Sequence, residues 1–240
     1  MSEREFEGVF DEDYLYFYEE MLAERTPEDV EMVVDLLERE PGEEILDCPC
    51  GHGRISNALA ERGFRVTGLD ATELFLERAR EDAAARGVDV EYVHGDMREL
   101  PWRGRFDGVV NWFTSFGYFS DEENKAVLRQ FHDALKPGGR LVLETQNITR
   151  ILLNAQPVHV VGEVGEDVSF DRWELDAGSA RFLTERVVIR DGRARKAHFT
   201  IRWFSPPELR AWLEEAGFEN VRMPGLTPES RLVLVADRPS

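Results

Sequence analysis

Between residues 44 and 145 the chain alternates short β-branched runs with helical stretches of about 10 to 15 residues, a rhythm that leaves few folds open. Strands joined through helices of that length pair in parallel, so the pattern predicts βαβ units and a doubly wound parallel sheet. The runs fall at 44–48, 65–69, 90–93, 106–111 and 141–145, with helices over 54–62, 72–86 and 121–135. In the third helix Val127, Leu128, Phe131 and Leu135 form one apolar stripe that would pack on the sheet. Gly63 and Gly87 occupy helix C-cap positions, and the KPGG run at 136–139 stops the third helix before the next strand.

The rhythm changes after residue 150. Two β-rich runs flank Asp191-Gly192, a two-residue hairpin signal, and on the second arm Ala197, Phe199, Ile201 and Trp203 alternate with His198, Thr200, Arg202 and Phe204. The second set ends in Phe204, so the hairpin is expected to cover something. At 205–216 the α/β pattern returns: Ser205 with Glu208 reads as a capping box and Pro206 as the first helical residue. Strands at 218–223 and 232–236 bring the count to seven. Near the N-terminus Tyr14, Tyr18 and Leu22 share one helical face, which would serve either as core packing or as a lid.

With 240 residues, one domain with a large core is expected. The formal charge is −19, and the first 50 residues hold 18 acidic side chains against 3 arginines. Such a surface repels polyanions, so nucleic acid and anionic membranes are not expected as partners. No apolar run approaches the ~20 residues of a bilayer span, and the N-terminus is acidic where a secretory signal is basic, so a cytoplasmic protein is expected. Two cysteines cannot form a disulfide framework.

Both cysteines lie in "LDCPCGHGR" at 46–54. A second pair that would complete a zinc site is missing, and His52 alone does not supply it, so no metal is expected. A strand ending in Asp47, a glycine-rich turn and a helix from Arg54 instead bring backbone close to a ligand at the carboxyl end of the sheet. A dinucleotide fingerprint would have glycine where Ser56 occurs, which weakens the alternative of an NAD-linked oxidoreductase. Asp70, closing the second strand, is placed to accept hydrogen bonds from ribose hydroxyls. Asp96 and Met97 follow the third strand, one able to accept from an exocyclic amine and the other to pack on a ring face.

Together "ILDCPCGHGR", "VTGLDAT", "HGDMRELP", "FDGVVNWFTSFGYF" and "LKPGGRLVLET" resemble, in order, the motifs of the class I S-adenosylmethionine-dependent methyltransferases. The resemblance implies a seven-stranded Rossmann-like methyltransferase sheet with an antiparallel β segment inserted after the fifth strand. It divides one domain into an N-terminal helical lid (1–40), a cofactor-binding core (41–150), a β-rich insertion (151–204) and a closing helix and strands (205–240). It also implies S-adenosyl-L-methionine as cofactor, with Asp47, Cys50, Gly51 and Gly53 around the methionyl part. Asp70 and Ala71 would lie at the ribose, Asp96 and Met97 at the adenine, and Asn111 and Trp112 beside the cofactor. Pro49 departs from the family's usual glycine; it fixes φ and removes an amide donor within the turn.

The donor is already activated, so orientation is the main task. Aromatic residues of the loop after the fourth strand resemble the acceptor pockets of small-molecule N- and O-methyltransferases. The tetrad of nucleic-acid amino-methyltransferases is missing, since 111–114 reads NWFT, and Asn111, Glu144 and Asn147 do not make the acidic pair of the metal-dependent enzymes. Tyr14, Tyr18 and Tyr118 are the candidate hydrogen-bonding groups toward an acceptor; His94, His132, His159 and His198 do not stand out as bases. The expected function is methyl transfer to N or O of a small molecule, the alternative being a cofactor-binding protein without turnover that acts through partners. Oligomeric state is left open, with the β insertion as a possible homodimer surface.

Overall fold

The computed structural model describes residues 8–154, 156 and 158–240. Five strands, β1 (Glu44–Asp47), β2 (Arg65–Asp70), β3 (Val90–His94), β4 (Phe106–Asn111) and β5 (Leu135–Thr145), run parallel. Around them lie α1 (Glu12–Leu37), α2 (Arg54–Glu61), α3 (Glu73–Arg86) and α4 (Asp121–Ala134). After β5 come α5 (Ile148–Leu153), β6 (Val158–Val164), β7 (Asp167–Asp176), β8 (Arg181–Arg190), β9 (Arg193–Arg202), α6 (Pro206–Glu215), β10 (Glu219–Arg222) and β11 (Leu232–Asp237). The main sheet has the order β10-β11-β5-β4-β1-β2-β3, with β11 antiparallel to both neighbours. This is the expected seven-stranded α/β sheet. No helix among the described residues is long and apolar enough to cross a membrane.

Each central strand is buried on both faces, so neighbouring residues serve opposite layers. Leu46, Val109, Leu141 and Leu234 meet Leu128 and Phe131 of α4 and Leu209 of α6. Ile45, Val110, Val142 and Val233 meet Val30, Val33 and Leu37 of α1 and Leu59 of α2. The C-terminal half of α1 is therefore core. Its N-terminal half instead passes over the carboxyl ends of the strands, where Tyr14, Tyr18 and Leu22 line the cavity described below.

α4 ends at Ala134, and Leu135 already has extended dihedrals and pairs with Phe106, so the KPGG run lies inside β5 instead of between helix and strand, and β5 begins six residues earlier than the sequence suggests. The insertion is larger than one hairpin. The turn at Asp191-Gly192, with φ of 52° and 69°, joins β8 and β9, and β6 and β7 extend the same antiparallel sheet. Phe204 has left the hairpin and is fully buried between Phe116 and Trp212. The four-stranded sheet closes over the carboxyl end of the main sheet as a roof.

Candidate active site

The strand order reverses between β1 and its neighbours β2 and β4, and a cavity of about 1060 Å³ opens at their carboxyl ends. One wall is the turn after β1. The Cys48 amide donates to Val110 O and the Cys50 amide to Leu69 O, each at 2.9 Å, so the turn is tied to both neighbouring strands by the residues flanking Pro49. The missing amide of Pro49, whose peptide bond to Cys48 is cis, leaves that anchoring intact.

Gly51 and Gly53 both adopt positive φ, but for different reasons. A Cβ on Gly51 would meet nothing within 4 Å, and the residue lines the cavity, so its bare backbone is open to a ligand. A Cβ on Gly53 would lie 2.3 Å from the Tyr92 hydroxyl and 2.8 Å from Ala79 Cβ. Gly53 is thus required by packing of α2 on β3 and α3, and it is not among the cavity-lining residues, contrary to the expectation that it approaches the cofactor.

The Gly51 amide donates to Asp70 Oδ2 at 2.8 Å and the Thr72 amide to Oδ1 at 2.9 Å, fixing this carboxylate at the end of β2. Burial pushes its pKa up, against the lowering effect of the backbone donors. Asp47 is 2 % exposed, and its Oδ2 accepts the Ser56 hydroxyl at 2.6 Å. Burial raises its pKa to about 7, with Ser56 and Arg54 opposing. The serine in place of a third glycine therefore holds Asp47, a role the sequence did not disclose. Cys48 and Cys50 are free, buried thiols whose pKa values burial pushes well up, which makes them poor thiolates. His52 lines the same wall and is held near 4, mainly by burial, so its ring is neutral.

Asp96 and Met97, beyond β3, line the cavity together with Ala71, which follows β2. Burial alone would raise Asp96, but bonds from Arg98, including Nη2 to Oδ2 at 2.8 Å, bring it to about 2. Arg98 also reaches Glu123 at 2.5 Å and lies 4.5 Å over the Phe119 ring. Asn111 does not reach the cavity. Fully buried, it donates through Nδ2 to Cys48 O at 2.8 Å and braces the β1 turn from behind, which corrects its expected place beside the cofactor. Trp112 does line the cavity, and its buried Nε1 has no hydrogen-bond partner among the described residues.

The loop after β4 is unusual in its backbone. Phe113 and Thr114 both have left-handed φ, 61° and 58°, uncommon for a bulky residue and for a β-branched one. The Thr114 amide is held at 2.9 Å by Glu144 Oε2, at the end of β5, and the guanidinium groups of Arg25 and Arg54 lie 5.1 and 5.4 Å from the centroid of the Phe113 ring. Below it Asp29, 1 % exposed, binds Arg54 at 2.9 Å and Arg231 at 2.5 Å. Although burial works against Asp29, these arginines hold its pKa below the ordinary range. Glu144, without so direct a partner, is pushed up to about 7 by burial, with Arg231 and Arg25 opposing.

The opposite wall is the roof together with the first turns of α1. Tyr14 and Tyr18 stack with centroids 4.4 Å apart, Tyr118 joins them through Phe10, and all three line the cavity. Burial pushes all three phenols upward, so they act as neutral hydroxyls. Arg186 of β8 binds Asp171 of β7 through two 2.8 Å bonds and donates to the Tyr18 hydroxyl at 3.1 Å. Trp173, Phe182 and Phe199 complete the apolar part of the roof.

This geometry has counterparts. A family described as "Methyltransferase domain" matches residues 45–139. A ubiquinone biosynthesis O-methyltransferase of Pseudomonas aeruginosa is 30 % identical over 189 residues, covering 78 % of this chain and 68 % of the relative. The chain belongs to the methyltransferases. A glycine/sarcosine N-methyltransferase of Aphanothece halophytica is 28 % identical to this methyltransferase over 201 residues, 82 % of this chain and 74 % of the relative. The structure of the CcbJ methyltransferase from Streptomyces caelestis has the same fold, with a TM-score of 0.76 at 23 % identity and 90 % of each chain covered. The methyltransferase is an S-adenosylmethionine-dependent enzyme, not an NAD-linked oxidoreductase.

Proposed function

We propose that this methyltransferase places its methyl group on a nitrogen or oxygen of a small-molecule acceptor bound beneath the roof, and that it acts mainly by positioning. The observation that carries the reading is one cavity with two unlike walls. Its volume, about 1060 Å³, exceeds the roughly 300–1,000 Å³ of a pocket for one drug-sized ligand, which leaves room for donor and acceptor side by side.

The residues of the β1 turn fit S-adenosylmethionine. Gly51 offers bare backbone beside open space, and Asp70 keeps lone pairs beyond the two amides it binds. Asp47, Cys50 and Gly51 would surround the methionyl part, Asp70 and Ala71 the ribose, Asp96 and Met97 the adenine, with Trp112 alongside. When bound, this group supplies a methyl carbon on a cationic sulfur, open to displacement. The chain's own task is to align the acceptor, and the strained turn at Phe113–Thr114, pinned by Glu144, fixes the wall against which alignment occurs. Tyr14, Tyr18 and Tyr118 would orient the acceptor as neutral hydrogen-bonding groups, with Arg186 holding Tyr18.

Incubation with methyl-tritiated S-adenosylmethionine and a panel of small amines, phenols and alcohols tests the reading. Label is expected in at least one low-molecular-mass product. Label found only in protein or nucleic acid would contradict it.

A further inference from the structure

Glu144 enters the reading above only through the amide it holds, yet half of its carboxylate is unused. The side chain is 4 % exposed and lines the cavity. Oε2 accepts from Thr114, whereas Oε1 receives no hydrogen bond from the described residues and is not sealed off, so it opens on the cavity. Of the cations that act on it from a distance, Arg231 is bound to Asp29 at 2.5 Å and Arg25 leans toward Asp29 at 3.8 Å, and neither is hydrogen-bonded to Glu144. A buried carboxylate with a free oxygen and no salt bridge of its own is completed by a ligand that brings both a proton donor and a positive charge.

We infer that Glu144 receives the acceptor as an ammonium ion and takes its proton, so that the methyltransferase acts on primary or secondary amines. This inference rests on the reading that the cavity holds donor and acceptor together. In the step, one N–H bond of the ammonium breaks, the proton goes to Glu144 Oε1, and the bonding pair stays on nitrogen as the nucleophilic lone pair. The proton later leaves Glu144 for water.

The same cavity disfavours oxygen acceptors. Desolvation raises the pKa of a phenol and lowers that of an ammonium, because each shift favours the neutral form. Tyr14, Tyr18 and Tyr118 show the direction for phenols, all three being pushed upward by burial. An amine is therefore brought toward the range of Glu144, near 7, while a phenol is carried away from it and an alcohol begins far above it. His52, near 4, is too weak a base to replace Glu144.

Sinefungin, in which a carbon bearing an ammonium replaces the methyl-bearing sulfur of the donor, is the probe. Calorimetry at pH 8 is expected to show wild-type protein binding sinefungin at least tenfold tighter than S-adenosylhomocysteine. The preference should vanish in Glu144→Gln, whose amide oxygen can still accept from Thr114, while S-adenosylhomocysteine affinity stays unchanged. It should also fall in wild type at pH 6, where Glu144 is protonated. That arm needs no variant, and the ratio cancels whatever Asp47 does to both ligands. A preference that survives in Glu144→Gln or at pH 6, or none in wild type, would overturn the inference. A tenfold loss of S-adenosylhomocysteine affinity in Glu144→Gln would overturn it too, by assigning Glu144 to the donor's own amino group. Failure of wild type to bind S-adenosylhomocysteine would instead strike the underlying reading of the cavity.

Discussion

Asp70→Ala is expected to weaken S-adenosylhomocysteine binding at least a hundredfold, measured by titration calorimetry. Two hydroxyl groups donating to an ionised carboxylate gain about 1.5–3 kcal/mol each, and every 1.4 kcal/mol is tenfold in affinity. The substitution also removes the acceptor for the Gly51 and Thr72 amides, so the turn and the loop after β2 lose their common anchor. Asp70→Asn keeps the volume but turns its amide NH2, a donor, toward a backbone N–H, and should recover little affinity. A loss below tenfold in Asp70→Ala would show that the ribose lies elsewhere.

The second large effect is on stability. Asp29→Ala leaves Arg54 and Arg231 without their shared carboxylate, and Arg54 is only 7 % exposed. Removing one partner from a buried ion cluster costs about 3–5 kcal/mol, because the remaining charge is stranded in a poorly solvating environment. Urea unfolding should show a loss of that order. Replacing all three groups by Leu and Met of matched volume should restore most of it, since well-packed apolar residues remove the stranded charge as well. Near-wild-type stability in Asp29→Ala would mean that water reaches the arginines readily.

What the sequence disclosed and what it hid follow from distance along the chain. The β1 turn, Asp70 and the Asp96-Met97 pair are legible as cavity-lining positions because each lies at a strand end within one short stretch, and the alternation of strand and helix fixes where strand ends meet. Asn111 and Gly53 were misplaced because position in a motif does not separate a residue facing the ligand from one bracing it. Asn111 instead holds Cys48, and Gly53 makes room for Tyr92.

Asp29 and Arg231 meet across 202 residues, and Glu144 meets Thr114 across 30, so no local pattern announces either contact. In the sequence Glu144 reads only as one carboxylate of an incomplete metal-ligand set. Strands β6 and β7 escaped for another reason. β6 is an edge strand, exposed at five of its seven positions, and β7 is mostly half-buried, so neither shows the alternation that comes from one fully buried face. Arg186 and Asp171, which face each other across β7 and β8, were hidden with them.

The division of the cavity is tested most directly by the crystal structure of the S-adenosylhomocysteine complex. The expected result has the ribose on Asp70, the purine against Met97, and the space beneath Trp173, Phe182 and Phe199 still open to an acceptor. A complex in which the nucleoside lies under the roof, with the Gly51 wall unfilled, would contradict the account.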